Sequence, residues 1–82
     1  MLFKVGQIVK STAGHDKGGL FVVAAAENGK VLLCDGKERP IEKPKHKNPK
    51  HIEIVISQTD EGLMESNSKL RKTLNKLANP GG

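Results

Sequence analysis

The pair Asn28-Gly29 stands between two apolar runs, Leu20–Ala26 and Val31–Cys34. Both residues of an Asn-Gly pair tolerate a positive φ, which the tightest hairpin turns require. Phenylalanine and valine residues in the first run favour a strand. We therefore expect a β-hairpin at the centre of the chain, which indicates a mainly β fold.

Further segments extend this hairpin to about five short strands. The sequence predicts a first strand over Val5–Ser11, a polar, glycine-rich loop over Thr12–Gly19 and a second turn at Asp35-Gly36. Arg39–Lys43 is expected to form a short strand at an edge of the sheet, because Pro40 has no N–H to donate to a neighbouring strand. Two prolines predict an irregular basic connection over Pro44–Lys50.

The last strand and a helix are expected in the final third of the chain. His51–Ser57 alternates apolar and polar residues, which predicts a half-buried strand with Ile52, Ile54 and Ile56 on one face. A helix follows, capped at its start by Asp60 or by Ser66 and stopped at Asn79-Pro80-Gly81. We expect this helix to pack against a strongly bent antiparallel sheet or against a partner.

Four leucines lie on one face of that helix, at spacings of seven, four and three residues. The simple interpretation is core packing. The alternative is a face that binds a partner protein or a second copy, because a helix added to a closed barrel leaves apolar surface exposed. The face consists of Leu63, Leu70, Leu74 and Leu77.

The positive charge is concentrated in one stretch. The 82 residues carry a net charge of +5, and residues 37–51, with six cations and two acids, hold +4 of it. Such a stretch is typical of a protein that binds a polyanion. The chain has two phenylalanines and no tryptophan or tyrosine, too few aromatic rings for a base-stacking platform. Contact with a nucleic acid would therefore run through phosphates, riboses and folded shape.

Other features narrow the class of protein. The length suits one domain, and a single cysteine excludes an internal disulfide framework. No apolar run is long enough to span a bilayer, and the first six residues lack the apolar core of a signal peptide. We therefore expect a location in the cytoplasm, with no contact with a membrane.

Metal binding and catalysis are both disfavoured. Cys34, His46 and His51 offer only three ligands, without paired cysteines, so Cys34 is expected to pack as a small apolar residue. His15 and Asp16 are adjacent, but no nucleophile has a visible place beside them. Asp16 is instead expected to cap the turn by accepting backbone N–H groups. The sequence thus predicts a protein that is not an enzyme and holds no metal or cofactor.

A series of motifs resembles the KOW family of RNA-binding proteins. Residues 6–18, followed by Phe21-Val22-Val23, resemble the KOW motif found in ribosomal proteins and transcription elongation factors. Residues 31–37, 43–48 and 50–51 are similar to short KOW proteins related to archaeal and eukaryotic large-subunit ribosomal proteins, which have bacterial members. The resemblance covers residues 5–57. It implies an SH3-like antiparallel barrel, which we place over 1–57. The resemblance does not cover 58–82, which the leucine spacing predicts to be a C-terminal helical extension.

The resemblance and the charge together predict binding to structured RNA, with ribosomal RNA as the expected partner. Lysines and Arg39 would contact phosphates, and loop glycines would let the backbone approach the RNA. Simpler interpretations stay open: a tight turn, a solvated linker and plain surface histidines. The candidate RNA-binding residues are Gly14, His15, Lys17, Gly18, Lys37, Arg39, Lys43, Lys45, His46, Lys47, Asn48, Lys50 and His51.

A second function remains possible from the sequence. Many SH3-like folds bind proteins, so the barrel groove or the leucine face could form a protein-interaction module. In that case the positive charge would attract an acidic surface on the partner protein. The helix basic residues Lys69, Arg71, Lys72 and Lys76 would either extend an RNA-binding surface or form a solvated face.

Overall fold

The computed structural model describes residues 3–79. They form one antiparallel sheet of five strands and one helix, with strand order β4-β3-β2-β1-β5. The strands are β1 Ile8–Ser11, β2 Leu20–Glu27, β3 Lys30–Cys34, β4 Lys45–Lys47 and β5 Ile52–Ile56. The 3-10 turns are Pro49–His51 and Glu61–Met64, and helix α1 is Asn67–Ala78. Within residues 3–79, no helix has the length and apolarity needed to cross a membrane.

The central hairpin forms where the Asn-Gly pair predicts it. Asn28 has φ 51° and Gly29 has φ 75°, so both occupy the left-handed region that this turn requires. Glu27 pairs with Lys30 on either side of the two-residue turn. The first strand is shorter than expected: it begins at Ile8, because Val5 and Gly6 form a turn with Gly6 at φ 94°.

The predicted edge strand Arg39–Lys43 is wrong. That segment is a loop in which the Asp35 carboxylate accepts the backbone N–H groups of Lys37 and Arg39, at 2.9 and 3.0 Å. The edge strand is β4, within the segment expected to be irregular. Pro44 and Pro49 lie outside β4, at positions where an edge strand tolerates proline.

The connection between β4 and β5 shows that the sheet is rolled. Neighbouring strands are antiparallel, so β4 and β5, at opposite edges, run in the same direction. In a flat sheet these edges would lie about 19 Å apart, across four spacings of roughly 4.8 Å. Residues 48–51 join them, reaching about 17 Å even when fully extended. No hydrogen-bonded ladder joins β4 to β5 in the described part of the chain, so the rolled sheet stays open there.

Apolar side chains form two clusters. The sheet cluster comes from β1, β2, β3 and β5, and the helix-side cluster comes from other sheet residues together with the 3-10 turn Glu61–Met64 and α1. Alternation along β1 and β2 sends neighbouring residues to different clusters, as with Ile8 and Val9. The buried members of the sheet cluster are Val9, Phe21, Val23, Val31, Leu33 and Ile52; those of the helix-side cluster are Ile8, Val22, Cys34, Leu63, Leu70 and Leu74.

The prediction that three isoleucines of β5 share one face holds for two of them. Ile52 and Ile54 join the sheet cluster, whereas Ile56 joins the helix-side cluster. The pairing with β1 shifts by one residue at this point, from Val9 opposite Ile54 to Ile8 opposite Ile56. A bulge of this kind changes the face that later residues present.

Both candidate helix caps are used, each by a different element. The Ser66 hydroxyl accepts the N–H of Lys69 and starts α1, while the Asp60 carboxylate accepts the N–H of Gly62 and starts the 3-10 turn. The helix ends at Ala78, and Asn79 donates its N–H to Asn75. Pro80 and Gly81, which were also expected to stop the helix, lie outside the described residues.

Candidate nucleic-acid interface

Two glycines shape the loop between β1 and β2. Gly14 and Gly18 have φ 86° and 87°, which residues with a side chain rarely adopt. The Gly18 N–H donates to the Ser11 carbonyl at 2.7 Å, and the Lys17 N–H donates to the Gly14 carbonyl at 3.2 Å. These bonds close the loop on itself, so His15 and Lys17 are exposed at its tip.

The Asp16 carboxylate joins this loop to β4. Its Oδ1 accepts from the Ser11 hydroxyl and from the Lys47 ammonium, each at 2.9 Å, and its Oδ2 accepts from Lys45 at 3.3 Å. Lys47 also donates to the Ala13 carbonyl at 2.9 Å. We call these four side chains, Ser11, Asp16, Lys45 and Lys47, the Asp16 cluster.

The donors around Asp16 outweigh the effect of burial on its acidity. Burial alone raises the pKa of this carboxyl, but the hydrogen bonds from Lys47, Ser11 and Lys45 hold the pKa well below its ordinary value. The expectation that Asp16 caps the turn through its carboxylate is therefore wrong: the partners are side chains of β1 and β4. Only its backbone carbonyl accepts within the turn, from the Gly19 N–H.

Two predicted RNA-contacting lysines thus have an internal role. The Lys47 side chain is only 10% exposed, so its ammonium is committed to Asp16 and Ala13. Lys45 is 34% exposed and retains a face toward solvent. The low pKa keeps Asp16 ionised at neutral pH. Because its one negative charge faces two lysine ammonium groups, the Asp16 cluster has a net charge of +1.

The connection between β4 and β5 lies against the same loop. The Thr12 N–H donates to the His51 carbonyl at 2.9 Å, which ties the end of β1 to the 3-10 turn. The Asn48 side chain caps that turn by accepting the N–H of Lys50 at 2.9 Å. The side chains of Asn48, Lys50 and His51 remain exposed there. We call the region where residues 11–16 meet residues 45–51 the seam.

The loop between β3 and β4 approaches the seam from a third direction. A cavity of about 100 Å³ is lined by His15 and Asp16 from the first loop, by Arg39 from the second and by Lys45. Asp35, Glu38 and Phe21 complete its lining. Residues far apart in sequence therefore place two cations, one histidine and three carboxylates around one small depression. We call the basic side chains in and beside the seam the basic surface; all are exposed except Lys45, which is partly exposed: His15, Lys17, Arg39, Lys45, Lys50 and His51.

The remaining candidate residues lie elsewhere. His46 lines a separate cavity of about 390 Å³ beside the Asn28-Gly29 turn. Lys37 lines a third cavity, which it shares with helix α1. Lys43 is exposed and lines none of the cavities described here. Ser11 is a functional residue that the sequence patterns do not identify, because a serine five residues before an aspartate is not a motif.

The aromatic residues are used in packing. Phe21 is 5% exposed in the sheet cluster, and the partly buried Phe3 packs against the same cluster. These are the only aromatic residues of the chain. The two phenylalanine rings therefore offer no exposed platform on which unpaired bases could stack.

Cys34 is a core residue. Its side chain is completely buried at the end of β3, and burial, with smaller effects from Asp35 and Glu42, raises the pKa of the thiol to about 11. The thiol is therefore neutral at physiological pH and a poor metal ligand or nucleophile. His46 and His51 are exposed, and no group of three potential ligands is found among residues 3–79.

Three of the four leucines proposed as a partner face are core residues. Leu63, Leu70 and Leu74 are buried against the sheet in the helix-side cluster. The core-packing interpretation applies to them, because the rolled sheet presents a second apolar face for the helix. Leu77 differs: it is 40% exposed and borders a groove of about 380 Å³ with Ile8 and Ile56.

Comparison with known proteins does not extend these observations. No protein-family model matches the chain, and no curated protein matches it. Any functional assignment therefore depends on the residues, charges and contacts described above.

Proposed function

We propose that this chain is a non-catalytic, cytoplasmic RNA-binding protein of the KOW type. It binds structured RNA, in the first instance ribosomal RNA, through phosphate contacts made by the basic surface. The observation that carries the proposal is the seam, where cations from three separate segments lie together while the carboxylate at its centre is neutralised by two lysines.

The topology supports an SH3-like barrel as the finer description of the fold. The strand order places β5 next to β1 and leaves β4 and β5 as edges that run in the same direction. A single 3-10 turn joins these edges, and Thr12 bonds to its last residue, His51. A sheet rolled in this way places its first and third loops near the same seam.

The electrostatics support a polyanionic partner. The exposed cations of the basic surface have no salt-bridge partner among residues 3–79 apart from Lys45. One oxygen of the nearby Asp35 carboxylate accepts two backbone N–H groups, those of Lys37 and Arg39. Unpaired cations can displace the counterions condensed on a phosphate backbone, which is the main source of affinity for nucleic acids.

Charge-matched variants test the proposal. Replacing Lys17, Arg39 and Lys50 with glutamine removes three cations of the basic surface. Replacing Lys4, Lys72 and Lys76 with glutamine removes three exposed cations outside it. We expect the first variant to lose roughly a hundredfold or more in affinity for large-subunit ribosomal RNA fragments at about 50 mM salt. The slope of log affinity against log salt should fall by about two to three.

One result of comparing the two triple variants would contradict the proposal. Equal losses in the two variants would show that only net charge matters, and the basic surface would not be the binding site. Single-stranded poly(U) should bind more weakly than folded RNA, because the chain offers no aromatic platform. Circular dichroism should be unchanged in both variants, since all six side chains are exposed.

The groove beside Leu77 favours a protein-interaction module as a second candidate. Its apolar lining and the 40% exposure of Leu77 are the observations behind it. Leu77→Asp should leave RNA affinity within about twofold of wild type if the RNA-binding proposal is correct. Loss of protein partners with this variant, together with absence of RNA binding in wild type, would favour the module.

A further inference from the structure

Helix α1 presents a side that faces the sheet, a side that faces solvent, and two flanks. With about 100° between successive residues, Leu70 and Leu74 point at the sheet, and Lys72 and Lys76 point away from it. Arg71 lies on one flank, with Asn75 and Ala78, and Thr73 lies on the other. The cavity linings agree with this arrangement, since Arg71, Asn75 and Ala78 line one cavity while Thr73 lines another.

The Arg71 flank is fixed against the basic loop between β3 and β4. Gly36 has φ 78°, and a side chain on it would overlap the Asn67 carbonyl oxygen at the start of α1. The Asn67 side chain accepts the N–H of Ile41 at 2.8 Å and donates to the Glu42 carboxylate at 2.9 Å. The helix and the loop are therefore held together by direct contact at both ends of the loop.

This contact places two cations around one opening. Lys37 from the loop and Arg71 from α1 line a cavity of about 170 Å³, floored by Leu20, Phe21 and Leu74. Neither side chain forms an ion pair within residues 3–79. The acid in the lining, Asp35, has one carboxylate oxygen bonded to the N–H groups of Lys37 and Arg39. The cavity volume equals that of about five or six water molecules, which suits a phosphate group.

We propose that Arg71 and Lys37 form a second phosphate-binding subsite, which extends the RNA-binding surface onto helix α1. The inference rests on the proposed function. The guanidinium of Arg71 can donate two parallel hydrogen bonds to one phosphodiester, and Lys37 adds a point charge from the other side. Phe21 and Asp35 line both this cavity and the cavity at the seam, so one RNA backbone can pass from the first subsite to the second.

The test compares single substitutions on one helix. Arg71→Gln should lower the affinity for large-subunit ribosomal RNA about tenfold and reduce the salt slope by about 0.7 to 0.9. Arg71→Lys keeps the charge but loses the paired hydrogen bonds, so its affinity should be intermediate. Lys72→Gln removes the same charge one residue away and should change affinity less than threefold.

A double substitution tests whether the two cations share a phosphate. The variant with both Lys37→Gln and Arg71→Gln should lose less affinity than the product of the two single losses. Equal effects of Arg71→Gln and Lys72→Gln would overturn the subsite while leaving the proposed function standing. Absence of RNA binding in the wild type would instead overturn the proposed function. Thermal unfolding should be unchanged in the single variants, because Lys37, Arg71 and Lys72 are exposed.

Discussion

Asp16 shows how one carboxylate can hold a surface loop in place through contacts with two strands. Its carboxylate orients the loop between β1 and β2 by holding Ser11 from one strand and two lysines from another. The sequence indicates an acid beside a histidine and predicts only a local turn cap. The actual partners lie 29 and 31 residues away, which no local pattern reveals. Lys45 and Lys47 likewise look like free cations until the fold pairs them.

The Asp16 cluster should contribute to stability at neutral pH. We expect Asp16→Asn to lower the free energy of unfolding by about 2 kcal/mol, because hydrogen bonds from charged donors are lost. The pKa of Asp16 is below its ordinary value of 3.8, so the contribution is complete above about pH 4 and disappears progressively as the pH falls further. Urea unfolding of wild type and variant at pH 7 and pH 3 measures both.

Two controls sharpen this prediction. Glu61→Gln changes the charge equally at an exposed site and should alter stability by less than about 0.5 kcal/mol. Lys47→Gln should destabilise the protein, whereas Lys50→Gln should not, since only the Lys47 ammonium bonds to Asp16. Equal stability of wild type and Asp16→Asn at pH 7 would contradict the role assigned to the cluster.

At the scale of elements, local signals predict turns better than edges. The Asn28-Gly29 hairpin and the Ser66 cap are found where the sequence places them, because both depend on neighbouring residues. The sequence does not predict strand β4, because it has only three residues, Lys-His-Lys, and is held by distant partners: the ladder with β3 and the bonds to Asp16. The same is true of the bulge that turns Ile56 to the other cluster, since it depends on register with β1.

Two glycines with the same backbone conformation should differ in their tolerance of a side chain. Gly29 and Gly36 have φ 75° and 78°, but open space surrounds Gly29, whereas Gly36 packs on the backbone of α1. Gly29→Ala should cost about 1 kcal/mol from backbone strain alone. Gly36→Ala should cost about 3 kcal/mol, because the loop and helix must also separate.

Thermal or urea unfolding of the two alanine variants provides the measurement. The difference between the variants isolates the contact between loop and helix, since the cost of a positive φ is common to both. Equal destabilisation would mean that the close approach of Gly36 to α1 contributes nothing. The Gly36 variant should also weaken RNA binding if α1 carries the second subsite.

At the scale of the whole molecule, the sequence predicts a mainly β sheet with a C-terminal helix, and both are confirmed. The composition also indicates which stretch is basic. Neither feature reveals how the basic residues divide between solvent and interior, because that division depends on how the sheet rolls. Lys47 and Lys50 are three positions apart, yet the Lys47 side chain is only 10% exposed in the Asp16 cluster and Lys50 is exposed to solvent.

A ribosomal partner makes a prediction for the intact protein in a cell lysate. In a sucrose gradient at about 50 mM salt, we expect the protein to migrate with large ribosomal subunits. At about 200 mM salt it should move to the top, since four to six phosphate contacts imply an affinity loss of roughly two to three powers of ten. If the protein stays at the top of the gradient at both salt concentrations, the ribosomal assignment is contradicted, and smaller folded RNAs become the candidates to test.

During synthesis, the seam can form only after both of its segments have left the ribosome. The loop between β1 and β2 leaves the ribosome early, but its partners Lys45, Lys47 and His51 follow about thirty residues later or more. Until those residues emerge, Asp16 carries an unpaired negative charge at the centre of the future basic surface. In a nascent chain that ends before β4, the Asp16 carboxylate lacks both of its lysine partners, so the loop between β1 and β2 is anchored only after the last part of the sheet has been synthesised.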